Sequence, residues 1–273
     1  MLTRRDLLIA LPALGYAAAA RAQTKPPAPP RVAGKVNLAE GLARVEGKDQ
    51  RMRQPAVGES VLEGDTITTL SNSEVHLNMV DGASFIVRER TRVRITEYVA
   101  DGGSGDKSLM DLAEGALRAI TGWIGAYNRG NYRVRTPLVT IGVRGTDHEP
   151  THLPEGDPRG QPGSYDKVNE GQAFMESKSG TVEVPANTAA FQALASGSVP
   201  QLLAAIPGFF KPGSYENEFL RRALELKNLI PQMRLDRIDV LRKQGLLPKD
   251  AQKALDQVKP LEDLGKELLR WRR

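Results

Sequence analysis

The sequence predicts a mainly β fold, an irregular β-solenoid or β-sandwich-like domain, with a C-terminal α-helical appendage. Three observations carry this. From Gly34 to Phe191 apolar residues recur at every second position in short runs, the side-chain period of a strand with one buried face. Acid-glycine pairs cut these runs at Glu40-Gly41, Glu46-Gly47, Glu63-Gly64, Asp81-Gly82, Glu114-Gly115 and Glu170-Gly171, and glycine supplies the positive φ that tight turns need. From Ser214 the apolar period changes to that of a helix.

The chain opens on Met1-Leu2-Thr3-Arg4-Arg5-Asp6, a twin-arginine n-region, then an apolar run of 14 residues to Ala20 and the small-residue site Ala20-Arg21-Ala22. This is the layout of a cleaved export signal, and the paired arginines favour the twin-arginine route. The run falls short of the roughly 20 residues needed to span a bilayer. Residues 1–22 are thus expected to be removed and the protein to reside in the periplasm. Residues 23–33 contain TKPPAPP, an extended proline-rich linker.

Composition narrows the function. The chain has no cysteine, so disulfides, thiolate metal sites and thiol nucleophiles are excluded. The net charge of +5 falls to +3 once Arg4, Arg5, Arg21 and Asp6 leave with the signal. Residues 211–273 hold 15 Lys and Arg against 10 Asp and Glu, so the basic excess lies in the tail. For an exported protein this points to an acidic partner or an anionic membrane surface, not to nucleic acid.

Within residues 34–210, Gly47, Gly64 and Gly82 are spaced as a strand-turn-strand unit repeated with drift. Val75, Leu77 and Met79 before Asp81-Gly82, with Phe85 and Val87 after it, form a hairpin whose outer face reads as polar. Arg88, Arg90, Arg92 and Arg94 then read as a cationic stripe on one strand face. DGGSGD, from Asp101 to Asp106, reads as a flexible turn with too few ligands for calcium. Leu109 to Ile120 fits a helix, with Leu112, Ala116 and Ile120 at helical spacing, or two strands turning at Glu114-Gly115. Val139, Ile141 and Val143 alternate with Thr140, Gly142 and Arg144 in a strand whose start is marked by Pro137. Its arginine is expected beside Asp147 and Glu149 as an ion pair closing the strand end.

The run TPLVTIGVRGT, from Thr136 to Thr146, resembles the signature core of the FecR domain. The preceding Gly115-Ala116-Leu117-Arg118 is similar to a segment that the family places just before this strand, which favours two strands over a helix from Leu109 to Ile120, and the resemblance extends more weakly from about Gly34 to Phe210. It implies a periplasmic sensing domain of regulators that relay iron-uptake signals across the bacterial envelope. Those regulators carry a cytoplasmic segment and a membrane span ahead of that domain. Here an export signal is expected in their place, so any signalling would pass through another protein.

His148-Glu149-Pro150-Thr151-His152 has the letters of the zinc-protease motif H-E-x-x-H, in which a helix sets two histidines on one face and the glutamate serves as general base. Pro150 opposes a helix here, and the only other histidine is His76. A zinc hydrolase using His148, Glu149 and His152 is therefore a remote alternative. No other nucleophile-base pair or phosphate loop is found. The expected protein is not an enzyme and holds no cofactor or metal.

In residues 211–273, Ser214 is placed to cap a first helix bearing Tyr215, Phe219, Ala223, Leu226 and Ile230. Pro231 is expected to open a second helix and Pro248 a third, either packed on one another or laid on the β domain. The expected function is to bind an envelope protein or cell-wall component in the periplasm, with Arg144, Asp147, His148 and Glu149 as candidate interaction residues. A scaffolding role in the envelope is the second reading. Peripheral contact of the basic helices with anionic membrane remains open.

Overall fold

The computed structural model of the protein describes residues 30–194 and 197–246. The export signal, most of the linker and the expected third helix lie outside them. The chain begins with β1 (Val32–Glu40), β2 (Ala43–Glu46), β3 (Met52–Arg53), β4 (Ser60–Leu62), β5 (Thr66–Thr69), β6 (Glu74–Met79), β7 (Ser84–Val87) and β8 (Arg92–Val99). The long β9 (Lys107–Ile120) leads through the short helix α1 (Trp123–Tyr127) to β10 (Tyr132–Arg135). Then come β11 (Thr140–Leu153), β12 (Gly163–Ser177), β13 (Gly180–Pro185), β14 (Thr188–Ala193) and β15 (Gln201–Leu202). An irregular strap reaches the helix α2 (Glu216–Lys243).

All these strands belong to one open hydrogen-bonded sheet, which divides into two leaves. Three long strands pass from one leaf into the other. The first part of β9 pairs with β8 and β10, its last part with β7 and β11. In the same way β11 pairs with β10 up to Ile141 and with β9 from Asp147, while β12 pairs with β14 before Val168 ends that ladder and with β13 from Gln172. Each long strand carries a glycine of positive φ where it crosses: Gly115 at 91°, Gly145 at 62° and Gly171 at 83°. At Gly171 a side chain is also barred by space, since a Cβ would lie 2.2 Å from the Gly145 carbonyl oxygen. The core lies between the leaves, where Val45, Ile67, Val93 and Ile95 from one share a cluster with Val75, Leu77, Phe85 and Val87 from the other. Two-residue periodicity therefore yields an inner, apolar face on both leaves.

Several expectations change in the structure. Glu114-Gly115 is a crossing point inside one strand and not a turn between two. The β6–β7 hairpin forms around Asp81-Gly82, but its outer face is covered. His76, Ser84 and Ile86 are all buried there, and Phe219 of α2 sits against the His76 ring with centroids 5.4 Å apart. The cationic stripe does not exist, because Arg90 adopts a φ of 51° and breaks the strand period between Arg88 and Arg92. The DGGSGD loop is held from within. Asp106 accepts hydrogen bonds from the amides of Asp101 and Gly102 and from Trp123 Nε1 at 2.7–2.9 Å.

The tail also differs. Glu216 to Lys243 is one helix running through Pro231, without a side-chain cap from Ser214. Packing outweighs the proline. Phe219, Ala223, Ile230, Ile238 and Leu241 are buried at helical spacing, with Ile230 over Gly82 and Ile238 over Gly102. Pro231 itself is exposed, so the carbonyl that loses its amide partner is on the solvent side. Arg234 and Arg237 finish the seat by donating to the Gly102 and Ala100 carbonyls at 2.7 and 3.1 Å. No helix among the described residues is long and apolar enough to cross a membrane.

Candidate interaction site

The four residues singled out from the sequence lie on β11, and its alternation sends them in different directions. His148 and His152 face the inner side, four residues apart on a strand and so on the same face. Glu149 faces the outer side. The strand continues through Pro150, and the β9 ladder runs from His148–Ala119 to Thr151–Ala116 without using Pro150. The H-E-x-x-H letters thus fall on opposite faces of a sheet, and the general base is separated from both imidazoles.

His148 is 0% exposed and belongs to a buried chain. Its Nε2 meets the Tyr132 hydroxyl at 2.9 Å, and its Nδ1 meets Asp166 Oδ1 at 2.9 Å. Burial pushes the Asp166 carboxyl up, opposed by the adjacent His148, and burial likewise drives the Tyr132 phenol well above its ordinary value. His152 bonds Ser164 at 3.0 Å, and burial lowers its imidazole. No group of three or more His, Asp or Glu residues able to hold a metal occurs among the described residues.

On the outer face Asp147 and Glu149 enter an ion network beneath the start of α2. Arg118 grips Asp147 with two bonds, Nε to Oδ1 at 3.0 Å and Nη2 to Oδ2 at 2.6 Å, and also donates to Glu216. Arg88 Nη2 reaches Glu149 at 2.9 Å and Glu216 at 3.0 Å. Lys167 and Asn169 complete Glu149 at 2.8 and 3.1 Å. Burial pushes the Glu149 carboxyl up, but Arg88, Lys167 and Asn169 together outweigh it and hold the group below its ordinary value.

The sheet supplies three cations and two carboxylates to this network, and Glu216 of α2 supplies the third carboxylate. Charge balance is reached only with the helix in place. Glu216 is 4% exposed and Arg118 8%, so removing Glu216 would leave the buried Arg118 and the half-buried Arg88 one carboxylate short, and removing the arginines would leave Glu216 a buried, unpaired charge.

Arg144 is absent from the network. Gly145 at positive φ and the shift of register between Arg144 and Asp147 turn it away from both acids. It is exposed and donates only a long 3.4 Å bond to Gln172. The expected Arg144 ion pair is therefore replaced by pairs to Arg118 and Arg88. Arg118 was readable as the one cation in the apolar run Ala116 to Ile120, a position that demands an acid; Glu216 had no signal beyond its place in a helix's first turn. Beside Arg144 the Cζ–Cε1 edge of the Phe174 ring occupies the space that a side chain at Gly142 would need, and the Arg133 guanidinium stands 5.1 Å from that ring's centre.

Residues 65–157, which contain the buried network's Arg88, Arg118, Asp147 and Glu149 as well as Arg144, match the family model described as FecR protein. The chain carries a FecR domain. The match begins at the turn before β5 and ends just past β11, so the FecR domain core includes both leaves and the crossings of β9 and β11. Two solved structures of a candidate anti-sigma factor from Parabacteroides distasonis ATCC 8503 are 14% and 15% identical to this chain, with TM-scores of 0.42 and 0.41. Each match covers 52% of this chain and 60% of the other. A structure described as a cell surface anchoring domain is 20% identical over 23% of this chain and 84% of its own, with a TM-score of 0.23. No curated protein matches the chain.

Proposed function

We propose that this is a non-catalytic exported protein whose FecR domain binds a protein partner in the periplasm, as a component of envelope signalling. One observation supports this above the rest. Of the four candidate residues, Arg144 alone is exposed and without a carboxylate, next to an aromatic ring that carries a second arginine, Arg133, also without an acid among the described residues. Arginine and aromatic side chains dominate protein-protein hot spots, and two unpaired cations favour an acidic partner. The split of His148, His152 and Glu149 across the sheet supports a binding role over hydrolysis.

The test is covalent capture from the intact envelope with a photoreactive residue at position 174, in the wild-type chain and in Arg144→Glu. The expected result is one membrane or receptor protein recovered with the wild type and lost with the variant. Recovery of cell-wall material alone, or of the same protein from both, would sink this reading; the first outcome would favour the scaffolding role.

A further inference from the structure

A groove of about 810 Å³ opens on the outer face beside the ion network, between the Asn72–Glu74 turn and the strap that precedes α2. It is within the roughly 300–1,000 Å³ range of ligand pockets. At its floor, Arg88 uses only Nη2 for Glu149 and Glu216, which leaves the hydrogens of Nε and Nη1 without an acceptor among the described residues. Thr151 stands two residues beyond Glu149 on the same face of β11. It is 1% exposed, lines the groove, and its Oγ1 has no hydrogen-bond partner. An orphaned hydroxyl beside an incompletely used guanidinium is the arrangement of a polar subsite awaiting an acceptor.

The walls are of opposite sign. Lys211 on the strap has no acid partner among the described residues, and Phe209 and Phe210 beside it form an apolar wall with ring centres 4.6 Å apart. Across the groove, Glu40 and Glu89 are exposed and in no ion pair among the described residues. A compact polyanion would be repelled by those acids, and a neutral ligand would leave Lys211 and the Arg88 donors unanswered. We propose that the groove binds the carboxyl-terminal end of a short peptide. The terminal carboxylate lies between Arg88, Thr151 and Lys211, an apolar side chain rests on Phe209 and Phe210, and the amino end faces Glu40 and Glu89. This site is separate from the Arg144 surface and stands or falls without it.

The mature protein, labelled at its arginine side chains, is titrated with a mixed pentapeptide pool bearing free carboxyl termini and with the same pool amidated. The expected result is a saturable shift of the Arg88 Nε–H resonance with the free pool only. Lys211→Glu is expected to weaken that response about tenfold, the scale of one lost charge-assisted contact. Thr151→Val removes a hydroxyl with no internal partner, so it should weaken binding while the fold keeps its stability. An unmoved Arg88 signal at millimolar pool, equal shifts from both pools, or an undiminished response in Lys211→Glu would each overturn the proposal.

Discussion

Two glycines of β11 and β12 show how differently the same residue is used. Gly145 has a φ of 62° and open space where a Cβ would go, whereas Gly171 has a φ of 83° and a neighbouring carbonyl oxygen 2.2 Å from that point. Gly145→Ala should therefore cost only the conformational penalty, about 1 kcal/mol. Gly171→Ala adds a backbone clash and should cost about 3 kcal/mol, at the upper end of single substitutions. Urea denaturation of the two variants checks this, and equal losses would show that the crossing relaxes more freely than its geometry implies. The sequence displayed Glu170-Gly171 as one more acid-glycine pair. Nothing local distinguishes a glycine that turns a chain from one that lets two strands cross, because the difference lies in the strand on the other side.

At the scale of elements, α2 and the sheet hold each other through groups that cannot be left single. Glu216→Ala leaves Arg118 and Arg88 short of a buried carboxylate, a loss of about 3–5 kcal/mol for a broken buried pair. The expected outcome is release of the helix while the leaves stay folded, seen as rapid amide exchange in α2 and loss of protection on the outer side of β6 and β7. If exchange in α2 is unchanged, the apolar stripe alone holds the helix. That stripe was legible, since Phe219, Ala223 and Ile230 are set at helical intervals. The continuity through Pro231 was not, because local propensity opposes it and the contacts of Ile230 and Ile238 with the sheet override it. Strand content, the Asp81-Gly82 hairpin and the signature strand were likewise readable from period and turn residues. The partners in the ion network were not, as Arg118 stands 29 residues from Asp147, Arg88 stands 61 from Glu149, and Glu216 stands 98 and 128 from those two arginines, so that they meet only by topology.

For the molecule as a whole, acid acts in two directions. Glu149 has a folded value below its ordinary 4.5, so its contribution is complete above that pH and disappears as the pH falls through the depressed value. Asp81 and Asp166 are raised, chiefly by burial, so they bind protons more readily in the fold and their contribution improves as the pH drops. Acidification below the ordinary carboxylate range, about pH 4, should thus loosen the contact between α2 and the sheet before the core opens. Hydrogen exchange against pH follows both; simultaneous loss of protection in α2 and around Asp81 would contradict the separation.

The pairing of β11 with β12 along nearly its whole length has a practical side. The matched segment 65–157 stops before β12, so a fragment cut to those limits would lack the partner of a 14-residue strand and also β1, which flanks β6. Its unpaired amides and carbonyls would invite pairing between copies, and such a fragment is expected to precipitate as ordered aggregates. A fragment meant to keep these ladders must therefore reach beyond the matched stretch on both sides, to include β1 and β12.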